Sequence, residues 1–423
     1  MGGNSGAWKI EKLHTLYSLM FFGWAFKGLT TPNPMLANLS WACMVGPSLI
    51  FSLRNPGRTA RAFFMREPLI LVFIGLAMAS FGWSLLPMLT LSRSLQMLVT
   101  FHYACYLSVR YSWAELLDLT RLALRWAILF SLAMTVVRPD LCIHVADIQA
   151  GQWKGLFGHK NHSGRVACLL CSISLVSLVT GLSRSIWLVL LDFGLGVLVL
   201  KMAGSRTAIG VLVIVMAIIA LLRMLIQASS GLRLSTLFLS VTGLALFIPI
   251  SPLLYAVVAQ ADWNDFLTGR VTLWRTVFYY VARHPWSGYG YGVFFQDAAF
   301  GRLVLLAEGW PAPHSHNVLL ELAADLGLLA VALYLLIMAR FHWRALRRLG
   351  TASLVAITVS TFNILTGLTE TACFPDVEIG TLLFMVMAVT LSRLDVRPFS
   401  RREVPVAVVG LATERNADPP ATG

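Results

Sequence analysis

The chain has 423 residues, of which 57% are hydrophobic and 13% charged, and its mean hydropathy is +0.73. A soluble domain carries about 25% charged residues and a disordered chain needs low hydrophobicity, so both classes are excluded. In so apolar a chain the formal net charge of +13 reads as basic loops beside a membrane, not as a nucleic-acid surface.

Apolar runs of helix length recur, and strand-length alternation does not. The prediction is an all-α polytopic membrane protein, not an outer-membrane barrel. About twelve spans are expected, at roughly 13–31, 35–53, 68–86, 93–109, 124–138, 164–182, 186–202, 207–222, 235–252, 317–339, 351–368 and 378–392. Lys27 interrupts the first of them. The expected organisation is nine spans in residues 1–252, a large outer loop at 253–316, three spans in 317–392, and a disordered cytoplasmic tail at 393–423. Placing the N-terminus inside puts most of the 33 Lys and Arg residues on the inner side, which predicts both termini in the cytoplasm. No small-residue cleavage site follows a short apolar core at the N-terminus, so no removable signal peptide is expected.

The six cysteines are scattered. Cys168 and Cys171 form a C-x-x-C inside an apolar run and read as helix packing; Cys142 and Cys373 both face the outer side, which allows a disulfide without arguing for one. In the late loop, Thr268–Ala282 reads as an amphipathic surface helix with Trp274, Phe278 and Val281 on one face.

Cations on the outer side run against the positive-inside trend, so they are the ones to explain. Lys154, Lys160 and Arg165 surround a polar stretch, Gly155-Leu-Phe-Gly-His-Lys-Asn-His-Ser-Gly164. Arg206 sits at an outer helix end, Arg270 and Arg275 on the surface helix, and His314 and His316 just before the tenth span. Guanidinium groups offer planar donors matched to phosphate oxygens, and the substrate they suggest is a phosphate-bearing lipid. A neutral imidazole can take the proton of a hydroxyl, which suits glycosyl transfer from a lipid diphosphate.

Plainer readings stand beside these. A histidine at a helix start is often a cap, and an outer arginine an interfacial anchor. His159 and His162, three apart, could share a metal. Gly288, Gly290 and Gly292 read as a turn with close backbone approach and not as a nucleotide loop. Asn317, Glu321 and Asp325 recur every four residues and form a polar stripe facing the bundle interior. Glu370 and Asp376 flank an outer turn and contact an acceptor or nothing. Asp192, in the middle of a span, is what a proton-coupled transporter of a small anion or sugar would use; no matching halves of the usual transporter kind are visible.

Four patches in order resemble the O-antigen ligase and Wzy-type polysaccharide polymerase superfamily. They are Gly155–Gly164; Ser205-Arg-Thr-Ala208; Gly269-Arg-Val-Thr-Leu-Trp274 with Pro285-Trp-Ser-Gly-Tyr-Gly290; and His316-Asn-Val-Leu-Leu320 running into Asp325-Leu-Gly327. The resemblance covers roughly 150–330. It implies an inverting, metal-independent and cofactor-free glycosyltransferase of the GT-C type, with its site on the periplasmic face of a bacterial inner membrane. Its partners would be an undecaprenyl-diphosphate-linked glycan donor, a glycan or lipid A-core acceptor, the bilayer itself and a chain-length regulator, with no nucleic acid. Carried over, His316 matches the base and Arg206 and Arg270 the diphosphate-binding arginines. His159, Lys160 and Asn161 match a further motif of the family, and contact with the donor head is the role expected of it here. Arg275, His314, Asn317 and Glu321 complete the substrate-binding candidates, with His314 a rival for the base. The Phe157–Asn161 stretch looks more like exopolysaccharide polymerases than ligases.

Overall fold

The computed structural model describes residues 5–25, 34–145, 149–183, 185–227, 270–297, 312–371, 373–375 and 377–394. Among these, regular structure is helical throughout; extended pairing is limited to an isolated bridge between Ile143 and Trp153. The expected span at 235–252, most of the outer loop and nearly all of the tail lie outside the described residues.

The helices are α1 (Ser5–Phe22), α2 (Pro34–Ser52), α3 (Pro68–Ala79), α4 (Pro87–Arg110), α5 (Trp113–Val137), α6 (Lys160–Val179), α7 (Ile186–Ala203), α8 (Arg206–Gln227), α9 (Arg270–Val281), α10 (Val318–Arg347), α11 (Thr351–Gly367) and α12 (Ile379–Leu394). Local chemistry sets their starts. Pro68 and Pro87 occupy first turns, where a missing N–H is harmless. Ser112 and Glu115 form a capping box on α5, and the Asn317 side-chain Oδ1 accepts from Leu319 and Leu320 N–H at the start of α10. By length and hydropathy, α5, α6, α7, α8 and α10 can each cross a membrane, and a bent pair at Pro56–Gly82 makes a sixth. The shorter apolar helices include α11 and most of α2 and α12, so among the described residues five or six helices are long and apolar enough to cross, against about twelve expected for the whole chain.

α5 begins eleven residues before the expected start at 124. The expected span at 124–138 takes in Arg125 and leaves Arg121 outside. Both lie inside the helix and bind Asp192 of α7: Arg121 Nε is 3.0 Å from Oδ2, and Arg125 grips both oxygens, Nη2 at 2.8 Å. Asp192 is thus a clasp between two helices, and it no longer supports a transporter.

Polar clasps also tie the helix ends together. At one end Glu11 of α1 binds Arg54 and Arg110, each at 2.7 Å, and Glu67 binds Arg344 of α10. Arg393 of α12 donates to Ser108 O of α4, and Arg66 to Ser392 O at 3.1 Å. The start of α1, the ends of α2, α4, α10 and α12, and the start of α3 therefore share this end. The starts of α6, α8 and α10 and the end of α11 lie at the other.

α10 is broken at Gly327, whose φ of 77° and ψ of −178° leave the helical region. The loop 285–292 docks into the break. Tyr289 N–H donates to Ala324 O (2.9 Å), Gly290 N–H to Asp325 O (2.8 Å), Leu328 N–H to Pro285 O (2.7 Å) and Gly292 N–H to Asp325 Oδ2 (2.8 Å). A Cβ on Gly288 would lie 2.4 Å from the Asp325 carbonyl carbon, and one on Gly327 2.4 Å from that of Trp286. The Pro285–Gly290 and Asp325–Gly327 patches are one joint, with glycine required on both sides.

The surface helix forms, and the face it packs against the protein is a separate matter from the apolar face of Trp274, Phe278 and Val281. Arg270, Leu273, Val277 and Val281 are buried, while Phe278 is 62% exposed. The inward set packs on Ala323, Ala324, Tyr289 and Phe294, so the docked loop decides the helix's rotation. Trp274 is half-buried and donates from Nε1 to Ser315 O at 2.9 Å.

Candidate active site

At the end of the bundle opposite the Glu11 and Glu67 clasps, cations converge on one carboxylate. Glu370, in the turn after α11, is 4% exposed. Its Oε1 accepts from Asn161 Nδ2 at 2.7 Å and Arg270 Nη2 at 2.9 Å. Its Oε2 lies 2.9 Å from His316 Nδ1 and 3.9 Å from His314 Nε2. Four segments far apart in sequence thus meet at one group: the start of α6, the start of α9, the 312–317 loop and the α11–α12 turn. Burial pushes the Glu370 carboxyl up, but the His316 hydrogen bond and the charges of His316, His314 and Arg270 outweigh it. The net result holds the group well below the usual carboxylate range.

Each arm is held by its own element. Arg270 opens α9 and is carried inward on that helix's buried face. Asn161 is in the first turn of α6, whose N-cap is His159; the His159 Nδ1 accepts from Asn161 N–H at 3.2 Å. Burial, with the neighbouring charges of His144, Lys160 and His316, takes His159 down to about 4 despite Glu370, so its imidazole is neutral at ordinary pH. Lys160 is half-buried beside it. His316 sits in the 312–317 loop, fixed by Ser315 N–H to Glu321 Oε2 (2.7 Å) and by His316 N–H to His314 Nδ1 (3.2 Å). Asn317 and Glu321 spend their side chains on this loop and on the α10 cap. These bonds hold the loop that carries His316. Glu321 and Asp325 are both buried, as the four-residue stripe requires.

Arg206 and Arg275 are exposed, and neither pairs with Glu370. Arg206 is nevertheless close to the start of α6. Its neighbour Ser205 packs on Gly164, where an added Cβ would meet the Ser205 Cβ at 2.7 Å.

A second clasp supports the Glu370 turn. Arg165, buried on α6, donates from Nη1 to Thr371 O (2.9 Å), pairs with Glu378 (3.2 Å) and contacts His162 Nδ1. Its guanidinium also lies 5.2 Å over the Trp24 ring. The non-glycine residues with positive φ among the described residues are Trp24, His316, Cys373 and Phe374, and all belong to this end. Strained backbone concentrated at one place is characteristic of functional sites.

His314, His316 and Glu370 are the set among the described residues whose ligand atoms, all within 4.8 Å of one another, could hold a metal ion. The fit is poor, because the Arg270 guanidinium already sits 2.9 Å from the same carboxylate and would repel a divalent cation. His159 and His162 do not form a comparable set; their rings are 5.9 Å apart, and His162 is engaged by Arg165. The cysteines described are free thiols, Cys142 and Cys373 included.

The sequence reading missed Glu370 as the meeting point, and it missed His144, whose ring lies 5.4 Å from that of His159. A usable signal existed: Glu370 is an acid that the sequence places on the same side as an unusual group of cations.

Residues 169–335 match the O-antigen ligase family (Wzy_C). The match bears out the resemblance to the O-antigen ligase and Wzy-type superfamily, and it supports a membrane glycosyltransferase of ligase or polymerase type acting on lipid-linked glycans. Arg206, Arg270 and His316 fall inside the matched stretch; the His159–Asn161 motif and Glu370 fall outside it. No curated protein gives a significant match.

Proposed function

We propose that the protein is a polysaccharide polymerase. It joins undecaprenyl-diphosphate-linked oligosaccharide repeats at the periplasmic face of the bacterial inner membrane, by inverting transfer without a metal. The observation that carries this reading is the convergence of Arg270, His316, His314 and Asn161 on the buried Glu370. Those groups hold a base and a cation in a fixed relation through one carboxylate, and a transfer from a sugar diphosphate needs both.

The reaction is a single displacement. The acceptor sugar hydroxyl attacks the anomeric carbon of the donor from the face opposite the diphosphate. A new C–O bond forms, the bond to the phosphate oxygen breaks, and undecaprenyl diphosphate leaves with the electron pair. His316 takes the hydroxyl proton. Arg270, with N–H groups beyond the one given to Glu370, and Arg206 at the start of α8 offset the charge on the departing diphosphate. His159, Lys160 and Asn161 line the side nearest the donor head.

The family's description as an O-antigen ligase favours a second reading, in which the acceptor is lipid A-core instead of another lipid-linked repeat. The two differ only in acceptor. Purified protein in proteoliposomes, given lipid-linked repeats alone, extends them if it is a polymerase; a ligase is inert until lipid A-core is added. His316→Ala should fold but lose at least about 100-fold in rate, the usual contribution of a general base. Full activity in that variant removes His316 from the mechanism.

A further inference from the structure

The two oxygens of Glu370 do different things. Oε1 takes Asn161 and Arg270, while Oε2 faces His316 Nδ1 at 2.9 Å, with His314 Nε2 farther off at 3.9 Å. Among the described residues, the polar groups that contact this carboxylate, Asn161, Arg270, His316 and His314, are donors or cations. Held from three sides and buried, it has one orientation, and it is an acceptor only.

A fixed anionic acceptor at Nδ1 dictates where the imidazole proton resides. Nδ1 carries it and donates it to Oε2, which puts the basic lone pair on Nε2. His314 is arranged the other way. Its Nδ1 accepts the His316 backbone N–H at 3.2 Å, so in the neutral ring its proton is on Nε2. The choice between the two histidines as base thereby falls on His316. The positive φ of His316 (53°) is the backbone conformation that this arrangement costs.

We propose that Glu370 is a positioning residue: it locks His316 in the Nδ1–H tautomer with Nε2 toward the acceptor, and it couples that base to the diphosphate-binding Arg270. Its catalytic consequence rests on the glycosyl-transfer reading; the tautomer does not. A single carboxylate thus holds the proton acceptor and the anion-binding arm in fixed register. This is what a displacement with attack and departure on opposite faces requires.

The test compares wild type, Glu370→Gln and Glu370→Asp, each shown by thermal unfolding in detergent micelles to be folded. The His316 ring nitrogens are read by solid-state 15N spectroscopy, with His316→Gln assigning the signals. Binding of undecaprenyl diphosphate is measured beside the rate of chain extension in proteoliposomes carrying the cell's own lipid-linked oligosaccharides. In the wild type, Nδ1 should be protonated. In Glu370→Gln, whose amide can turn its NH₂ toward the ring, the proton should move to Nε2. Extension should then fall about 10²- to 10⁴-fold, while undecaprenyl diphosphate binding stays within about threefold. Glu370→Asp should recover part of the rate. A wild-type proton on Nε2, or a Glu370→Gln rate equal to wild type, overturns the proposal. A wild type with Nδ1 protonated that transfers no glycan overturns the enzymatic reading and leaves the tautomer assignment standing.

Discussion

Replacing Gly288 by alanine tests the joint that carries the site. The new methyl would lie 2.4 Å from the Asp325 carbonyl carbon and 2.5 Å from its oxygen, at a φ of +60°. A Cβ in the left-handed region costs about 1–2 kcal/mol. The obstacle is backbone, so the overlap is relieved only by lifting the loop from α10. That strains the packing by about 1–3 kcal/mol and loosens the bonds from Tyr289 N–H and Gly290 N–H, each worth about 0.5–1.5 kcal/mol. The expected loss is roughly 3–8 kcal/mol, a large part of the roughly 5–15 kcal/mol that keeps a protein folded. Gly151→Ala is the control: its φ is +82°, but nothing lies within 4 Å of the added atom, so only the backbone term applies. The assay is thermal unfolding of the purified variants in micelles. Gly288→Ala should melt far below Gly151→Ala or lose its cooperative transition. Equal midpoints for the two refute the argument that loop and broken helix form one rigid joint.

Asp192→Asn leaves Arg121 and Arg125 without their carboxylate inside the bundle and should destabilise by about 3–5 kcal/mol, visible as a lowered melting midpoint. Solute uptake into vesicles that depends on Asp192 would revive the transporter reading. Arg206→Lys should slow chain extension even though charge is kept, because an ammonium does not reproduce the planar fork; equal rates remove bidentate phosphate recognition at this position. Extension should persist in EDTA, and a loss restored by zinc would mean that His314, His316 and Glu370 hold a metal after all.

The helical architecture was legible because its signal is composition and run length, which need no partner. Span edges were read well where a local cap marks them, as at Ser185 and Asn317. The start of α5 was placed too late because the charge of Arg121 is cancelled by the distant Asp192. The surface helix was foreseen; the set that it packs on the protein, Leu273, Val277 and Val281 against Ala323, Ala324, Tyr289 and Phe294, depends on a loop distant in sequence. In the site, the residue types were legible one by one: outer histidines and arginines stand out against the positive-inside trend. Their common anchor was not. Glu370 lies 54 residues after His316 and 209 after Asn161, and no local pattern links such positions.

Four side-chain-bearing residues with left-handed backbone surround the Glu370 turn. Each such conformation costs on the order of 1–3 kcal/mol, so together they approach the whole margin by which an average fold survives. The clasps of Arg165, Arg270 and Asn161 are what keep this tension from relaxing. Attempts to make the protein sturdier therefore meet a conflict at this end: swaps that ease the contorted chain also unbend the geometry on which turnover depends, and durability is better sought at the opposite end of the bundle.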